Sequence, residues 1–226
     1  ASKLNIPTLI QEQNSYPGLT NKILSKTVDI ICVAYSNMDQ YFPKKKIVIT
    51  GNPVRKEIRN SSKSKNDSLK LFRMSNSNKT LLVLGGSLGA QEINNFISNH
   101  IGLFKSMKIQ IIWQCGKMYY DQYKKYNSSI INVQPFIKDM NSAYSAADII
   151  ISRSGASVIS ELCIVGKPVI FIPSPNLTED HQTKNALFVK KYNGAEMVEE
   201  QYLEKEFFRV LENLIFLTFE ALKIFW

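Results

Sequence analysis

Three short polar turns in this chain carry residue types suited to holding an anion and a polyol. The first is Leu84-Gly85-Gly86-Ser87-Leu88-Gly89-Ala90, which follows a hydrophobic run and opens a helix-like segment. Glycines there let the backbone come close to a phosphate, and a helix start offers N–H groups to an anion. A tight turn needing positive φ would use the same glycines, and either reading fits. The second is Ser152-Arg153-Ser154-Gly155-Ala156-Ser157, the same design with an arginine added. Glu161 lies four residues past Ser157, one turn along the same helix face. A carboxylate there could accept hydrogen bonds from a ribose diol, or simply favour the positive end of the helix. The third spans residues 173–182, where Asp180 is placed to cap a helix and Gln182 and Asn185 offer amides that suit sugar hydroxyls. His181 is read first as a surface histidine and only second as a general base. Two phosphate-type turns and an amide loop point to a nucleotide-sugar. The G-x-G-x-x-G dinucleotide fingerprint is absent.

Such turns need a sheet to carry them. Short apolar, β-branched runs fall at 7–10, 29–34, 46–50, 80–84, 108–113, 130–133, 148–152, 168–172 and 195–198. Helix-like stretches lie between them at 88–100, 137–146, 157–165 and 180–192. The alternation predicts βαβ units and a parallel sheet covered on both faces, so the class is α/β. Several strands are apolar throughout, as burial of both faces requires. Six strand–helix units follow Thr80, enough for a complete Rossmann-like domain, whereas only three strands precede Asn60. Residues 60–67, reading NSSKSKND, have no aliphatic side chain and predict a surface loop or linker.

The 226 residues are 44% hydrophobic and 21% charged, which excludes a disordered chain. The formal charge of +9 favours anionic partners without choosing among them. Cys32, Cys115 and Cys163 are far apart and form no C-x-x-C pair, so neither a disulfide framework nor a thiolate zinc site is predicted. Only His100 and His181 could serve a histidine metal centre. No run reaches the ~18 apolar residues of a membrane span. The longest, 214–226, carries Glu220 and Lys223. A soluble, cytoplasmic chain whose first residue is not the natural start is the resulting expectation.

Five motifs in register give a more specific reading. They are Glu12-Gln13-Asn14 with Gly18-Leu19-Thr20-Asn21-Lys22, then Gly51-Asn52-Pro53-Val54-Arg55, Gly85-Gly86-Ser87, Arg153-Ser154-Gly155-Ala156, and Asp180-His181-Gln182-Thr183-Lys184-Asn185-Ala186. Together, over about residues 7–198, they resemble the MurG family of peptidoglycan glycosyltransferases. The resemblance implies a GT-B fold, with residues 1–52 a remnant of an N-terminal acceptor-binding domain and 53–226 the UDP-sugar-binding domain. It implies an inverting transfer of N-acetylglucosamine from UDP-N-acetylglucosamine to undecaprenyl-pyrophosphoryl-N-acetylmuramoyl-pentapeptide, converting lipid I to lipid II. The enzyme would work as a peripheral protein on the anionic cytoplasmic face of the bacterial membrane, with no nucleic acid partner and no metal or other cofactor.

Carried over by residue, the resemblance places Asn14, Arg55 and Ser87 around the donor and gives the backbone of Ile137 to the uracil. Ala156 and Ser157 open the pyrophosphate-side helix, Glu161 takes the ribose hydroxyls, and Gln182 takes hydroxyls of the sugar. Glu12, Gly85, Gly86, Arg153, Gly155 and Asn185 support these. No catalytic residue is assigned, because the family's candidate base lies in a glycine-rich loop ending Gly-Gly-His that has no counterpart here. Gln11 stands where many members have His, and Val158 where a hydroxyl is usual. Past Glu206 the resemblance fades. Two alternatives remain: a catalytically incompetent UDP-sugar-binding fragment, or a related UDP-sugar transferase with another lipid acceptor.

Overall fold

The computed structural model describes residues 1–175 and 178–216. β1 (Leu9–Glu12), α1 (Leu19–Leu24), β2 (Ile30–Val33) and β3 (Ile47–Ile49) come first. The three strands form a parallel sheet in the order β1-β2-β3. α2 (Lys56–Arg59) and α3 (Lys65–Leu71) lead into β4 (Lys79–Leu84), α4 (Gln91–Asn99), α5 (Ile101–Ser106), β5 (Ile109–Gln114) and α6 (Tyr120–Tyr123). There follow β6 (Ile131–Gln134), α7 (Met140–Ala146), β7 (Ile149–Ser152), α8 (Ala156–Val165), β8 (Val169–Phe171), α9 (His181–Lys191), β9 (Glu196–Met197) and α10 (Leu203–Phe216). The second sheet is parallel throughout, in the order β6-β5-β4-β7-β8-β9. Each strand matches one of the nine apolar runs. The order steps outward from β4 through β5 to β6, then reverses across β4 to β7. In open α/β sheets the crevice at that reversal is where ligands bind.

The apolar strands explain the layering. Every residue of β5, Ile-Gln-Ile-Ile-Trp-Gln, is buried, because helices cover both faces of the sheet. Successive side chains point to opposite faces. Leu81, Val83, Ile111 and Trp113 therefore meet α4 and α10 through Ile93, Phe96, Ile97, Phe207 and Leu211. Leu82, Leu84, Ile112 and Ile150 meet Leu69, Ala143, Ile159 and Leu162 on the other side. Burial of one such side chain stabilises by about 1.5–3 kcal/mol. The Trp113 indole N–H donates to Asn94 Oδ1 at 2.9 Å, and Asn94 Nδ2 donates to the Cys115 carbonyl at 2.8 Å. A satisfied polar pair inside the core thus fixes the first turn of α4 beside the end of β5.

The segment 60–67 is only partly a loop. α3 begins inside it, because Ser64 caps the helix by accepting the Asp67 N–H at 3.1 Å, and Leu69 and Phe72 then bury. The helix expected from 137 starts at Met140, with Asp139 accepting the Ser142 N–H at 3.0 Å as its cap. Of the apolar stretch 214–226, Leu214 is buried under the sheet. Residues 217–226 lie outside the described residues. In the first sheet, Ile31 and Val33 pack on Met38 and Phe42, while Leu9, Ile30 and Val48 are exposed.

Candidate functional site

Leu84 at the end of β4 is register partner to Ser152 at the end of β7. The Gly85-Gly86-Ser87 turn and the Arg153-Ser154-Gly155 turn therefore leave the sheet side by side, at the point where strand order reverses. Gly86 and Gly89 have φ of +83° and +87°. A Cβ on Gly89 would lie 2.2 Å from the Cys115 carbonyl oxygen, so this glycine is needed for the close crossing of two loops. Ser87 is exposed at the tip, and α4 starts three residues later than the sequence pattern predicts.

Below this turn lies a residue that sequence reasoning missed. Gln114 ends β5, is 5% exposed, and is bonded at both ends of its amide. Nε2 donates to the Gly86 carbonyl at 3.0 Å, and Oε1 accepts the Ile137 N–H at 2.8 Å. Of the Ile137 backbone, which the resemblance gives to a uracil, the N–H is thus engaged by this amide. The available signal was an amide closing a strand that is otherwise almost wholly apolar.

Arg153 does not reach toward a phosphate. Its guanidinium donates to the Ile172 carbonyl at 3.0 Å and pairs with Glu200, both side chains being largely buried. A charge this buried needs a partner, and Glu200 supplies one. The anion-binding capacity of this turn rests instead on the backbone. α8 has Gly155 as N-cap with no side-chain capping bond, and its first intrahelical bond runs from the Ile159 N–H to the Gly155 carbonyl. The N–H groups of Ala156, Ser157 and Val158 are left over, which is the usual anion site of a helix start. Val158 packs against the core and Ser157 is exposed.

Glu161 faces the first part of the chain. Arg55 Nε donates to Oε1 at 2.8 Å and Nη2 to Oε2 at 2.9 Å, a bidentate pair. The hydroxyl of Tyr144, a second missed residue, donates to Oε2 at 3.2 Å. The Glu161 hydrogen bond raises the Arg55 pKa, and burial, with the carboxylate adding to it, pushes the Tyr144 phenol well above its ordinary value. Glu161 lies in the second turn of α8, so it does not serve as a capping charge.

The Glu-Gln-Asn loop reaches the same crevice from β1. Buried Glu12 organises it: Oε1 accepts the Asn14 N–H at 2.9 Å, and Oε2 accepts the Gly18 N–H at 3.0 Å and Asn21 Nδ2 at 2.8 Å. Asn185 then joins loop to helix. Its Oδ1 accepts the Ser15 N–H at 2.9 Å, and its Nδ2 donates to Asn14 Oδ1 at 3.0 Å. Asn52 Nδ2 donates to the Gln13 carbonyl at 3.0 Å and to Ser160 Oγ at 3.1 Å. Gln182 Oε1 accepts the Ser174 N–H at 2.9 Å, which sets its amide beside the loop before α9. Asp180 is not the side-chain cap the sequence predicts. It and Glu179 both have left-handed backbones, φ +53° and +57°, and Asp180 makes no capping bond. His181 Nε2 lies 3.7 Å from Glu179 Oε2. Asn176 and Leu177 lie outside the described residues.

Among the described residues, no group of three or more His, Cys, Asp or Glu side chains is disposed to hold a metal ion. Among the same residues, no helix is long and apolar enough to cross a membrane.

Comparison with known proteins places this architecture. The family described as "Glycosyltransferase family 28 C-terminal domain" matches residues 80–217, so the likeness extends past Glu206, where the motifs fade. The chain is 52% identical over 216 residues to the "UDP-N-acetylglucosamine--N-acetylmuramyl-(pentapeptide) pyrophosphoryl-undecaprenol N-acetylglucosamine transferase" of Flavobacterium psychrophilum, covering 95% of this chain and 59% of that protein. It is 52% identical over 202 residues to the protein of the same name from Christiangramia forsetii, covering 89% and 55%. The chain thus spans a little over half the length of these curated relatives. The crystal structure of Acinetobacter baumannii MurG superposes with a TM-score of 0.74 at 31% identity, over 98% of this chain and 62% of that one.

Proposed function

This chain belongs to the glycosyltransferase family 28 C-terminal domain family and has the α/β GT-B fold, and from that premise we propose that it binds UDP-N-acetylglucosamine as a glycosyl donor. The observation that carries the reading is the register pair Leu84–Ser152, which sets two anion-binding turns side by side at the reversal of strand order. The diphosphate lies between Ser87 and the N–H groups of Ala156 and Ser157. The ribose lies at Glu161, with Arg55 across the crevice supplying positive charge. The base lies at the loop of Ile137, and the sugar lies between Gln182 and Asn14.

The proposed acceptor is N-acetylmuramyl-(pentapeptide) pyrophosphoryl-undecaprenol, the one in the relatives' names; transfer of N-acetylglucosamine to this lipid, lipid I, would serve peptidoglycan synthesis. The acceptor hydroxyl attacks the anomeric carbon as the bond to UDP breaks, inverting that centre, and gives up its proton to a general base or to solvent. Helix N-termini and Arg55 take up the charge that grows on the leaving diphosphate. Residues 1–52 belong to the acceptor domain and 53–226 to the donor domain, a division supported by the two separate sheets and the exposed face of the first. The net charge of +9 suits work at an anionic membrane surface on the cytoplasmic side, where each nearby Lys or Arg contributes roughly 1 kcal/mol.

Calorimetric titration with UDP and UDP-N-acetylglucosamine tests the donor reading, with Glu161→Ala as its companion. Losing hydrogen bonds to a carboxylate, about 1.5–3 kcal/mol each, should weaken UDP at least tenfold. Stability should fall by about 1–3 kcal/mol, because the buried Tyr144 hydroxyl loses its acceptor, while the half-exposed Arg55 adds little to the loss. Equal UDP affinity would reduce Glu161 to an ion-pairing role.

A further inference from the structure

Gln114 closes a fully buried strand with a primary amide, where an aliphatic residue would match its neighbours. Both ends of the amide are used, and both partners are main-chain groups of loops that belong to the candidate site. Nε2 holds the Gly86 carbonyl and Oε1 holds the Ile137 N–H. A trans peptide points its C=O and its N–H in opposite directions. Drawing the Gly86 carbonyl down onto Gln114 therefore turns the Ser87 N–H away from the sheet, toward the tip of the turn. By the same geometry, drawing in the Ile137 N–H turns the Phe136 carbonyl outward. Among the described residues the Ser87 N–H makes no hydrogen bond within the protein. Gly86, with its φ of +83°, has the backbone freedom to swing if that restraint is lost.

We propose that Gln114 is a positioning residue that holds the phosphate-side turn and the base-side loop in one register, so that a nucleoside diphosphate meets both at once. The inference rests on the donor reading above and adds a residue and a role that the family motifs do not contain. Each half-site alone binds weakly. Their joint affinity depends on the second contact forming within the same molecule at the right spacing, an effective-concentration advantage that vanishes when the spacing is wrong. Loss of Gln114 should therefore harm a ligand that spans both loops far more than one that touches either alone. A residue that merely stabilises the sheet would affect all ligands alike.

The test compares the chain with Gln114→Met, which keeps the size and removes both hydrogen bonds. Gln114→Glu keeps the acceptor for the Ile137 N–H and removes only the donor to Gly86, in case the methionine variant does not fold. Affinities for UDP, uridine and inorganic pyrophosphate are measured by calorimetry and ligand-observed NMR, with thermal melting alongside. The expected result is a tenfold or greater loss for UDP, with uridine and pyrophosphate unchanged within about twofold. UDP affinity equal to that of the unaltered chain would overturn the positioning role while leaving the donor reading intact. So would a parallel loss for all three ligands in step with a falling melting temperature. Failure of the unaltered chain to bind UDP would overturn the donor reading and this inference with it.

Discussion

Arg55 and Glu161 stand 106 positions apart in the chain and meet as a bidentate pair, with both N···O distances under 3 Å. The pair draws the segment after β3 onto the first helix past the strand-order reversal. The carboxylate is already shared, because Tyr144 donates to the oxygen that also takes Arg55 Nη2. On the proposed donor reading, a ribose diol at Glu161 would meet an acceptor oriented by two donors from different elements.

Tyr144→Phe should show how much that orientation matters. The change removes one hydroxyl and keeps the ring in its buried apolar cluster. Loss of the bond should cost about 0.5–1.5 kcal/mol of stability, and UDP affinity should fall severalfold as the carboxylate gains freedom. Burial keeps the phenol protonated well beyond neutral pH. The difference between the two proteins should therefore be flat from about pH 5 to pH 9. Melting curves and UDP titrations across that range check it. A UDP affinity matching that of the unaltered chain would leave Tyr144 as packing alone.

Much of this arrangement is legible in the sequence, for identifiable reasons. The inner strands β4, β5, β7 and β8 announce themselves because a parallel sheet buried on both faces writes continuous apolar runs, and the other five show as short apolar runs. The two turns are marked by glycines, and Glu161 by its spacing along α8. Arg153 misleads because its position is phosphate-like while its partner, Glu200, lies far along the chain and emerges only once β8 and α10 are in place. Tyr144 carries no local signature and Gln114 only an amide at the end of a mostly apolar strand, since each acts on a group from another element. Asp180 reads as a cap by residue type, but its left-handed backbone turns the preceding loop another way. Local chemistry was readable, and pairing across the fold was not.

Sugar choice should depend on Gln182. Its Oε1 is held by the Ser174 N–H, which leaves Nε2 as the group to meet a hydroxyl. Gln182→Ala removes both the reader and its anchor. The preference for UDP-N-acetylglucosamine over its C4 epimer should then shrink by roughly tenfold, the scale on which a single hydrogen-bonding contact discriminates. Competition between the two donors for the chain measures it. A ratio unmoved by the change would leave Gln182 as a loop anchor.

Lys167 should make stability depend on alkaline pH. Burial lowers its pKa to about 8, and its Nζ donates to the Ser145 carbonyl at 2.9 Å and to the Ala147 carbonyl at the end of α7. Its ordinary value is 10.5. Between these values the unfolded chain binds more protons than the folded one, so unfolding becomes harder as pH rises. Below about pH 8 both states are charged, and the full cost of burying the ammonium is present. Relative to Lys167→Met, the native chain should gain stability from about pH 8 to 10.5 and show no such trend from pH 6 to 7.5. Denaturant melts at stepped pH measure the difference, and a flat comparison throughout would show that the ammonium keeps its hydration.

Asn185 should separate sugar binding from nucleotide binding. It is 1% exposed and is joined to both Asn14 and Ser15 across the crevice, with a further contact from Nδ2 to the Ser154 carbonyl at 3.4 Å. Asn185→Leu keeps the volume and removes these bonds, leaving buried polar groups without partners, so stability should drop by about 2–4 kcal/mol. Amide exchange should quicken first at Ser15, whose N–H Asn185 accepts, while the Asn14 and Gly18 N–H groups stay bonded to Glu12. The proposed nucleotide contacts are Ser87, Ile137, Ala156 and Ser157 on the turns of the six-stranded sheet, with Glu161 and Arg55, and none of these residues is hydrogen-bonded to the Asn185 side chain. UDP affinity should therefore stay within about twofold, while the extra affinity contributed by the N-acetylglucosamine group, which Asn14 is placed to meet, should disappear. Parallel titrations with UDP and UDP-N-acetylglucosamine read the two effects separately. If both affinities fell together, the loop would be supporting the nucleotide turns themselves, and Asn14 would lose its assignment to the sugar.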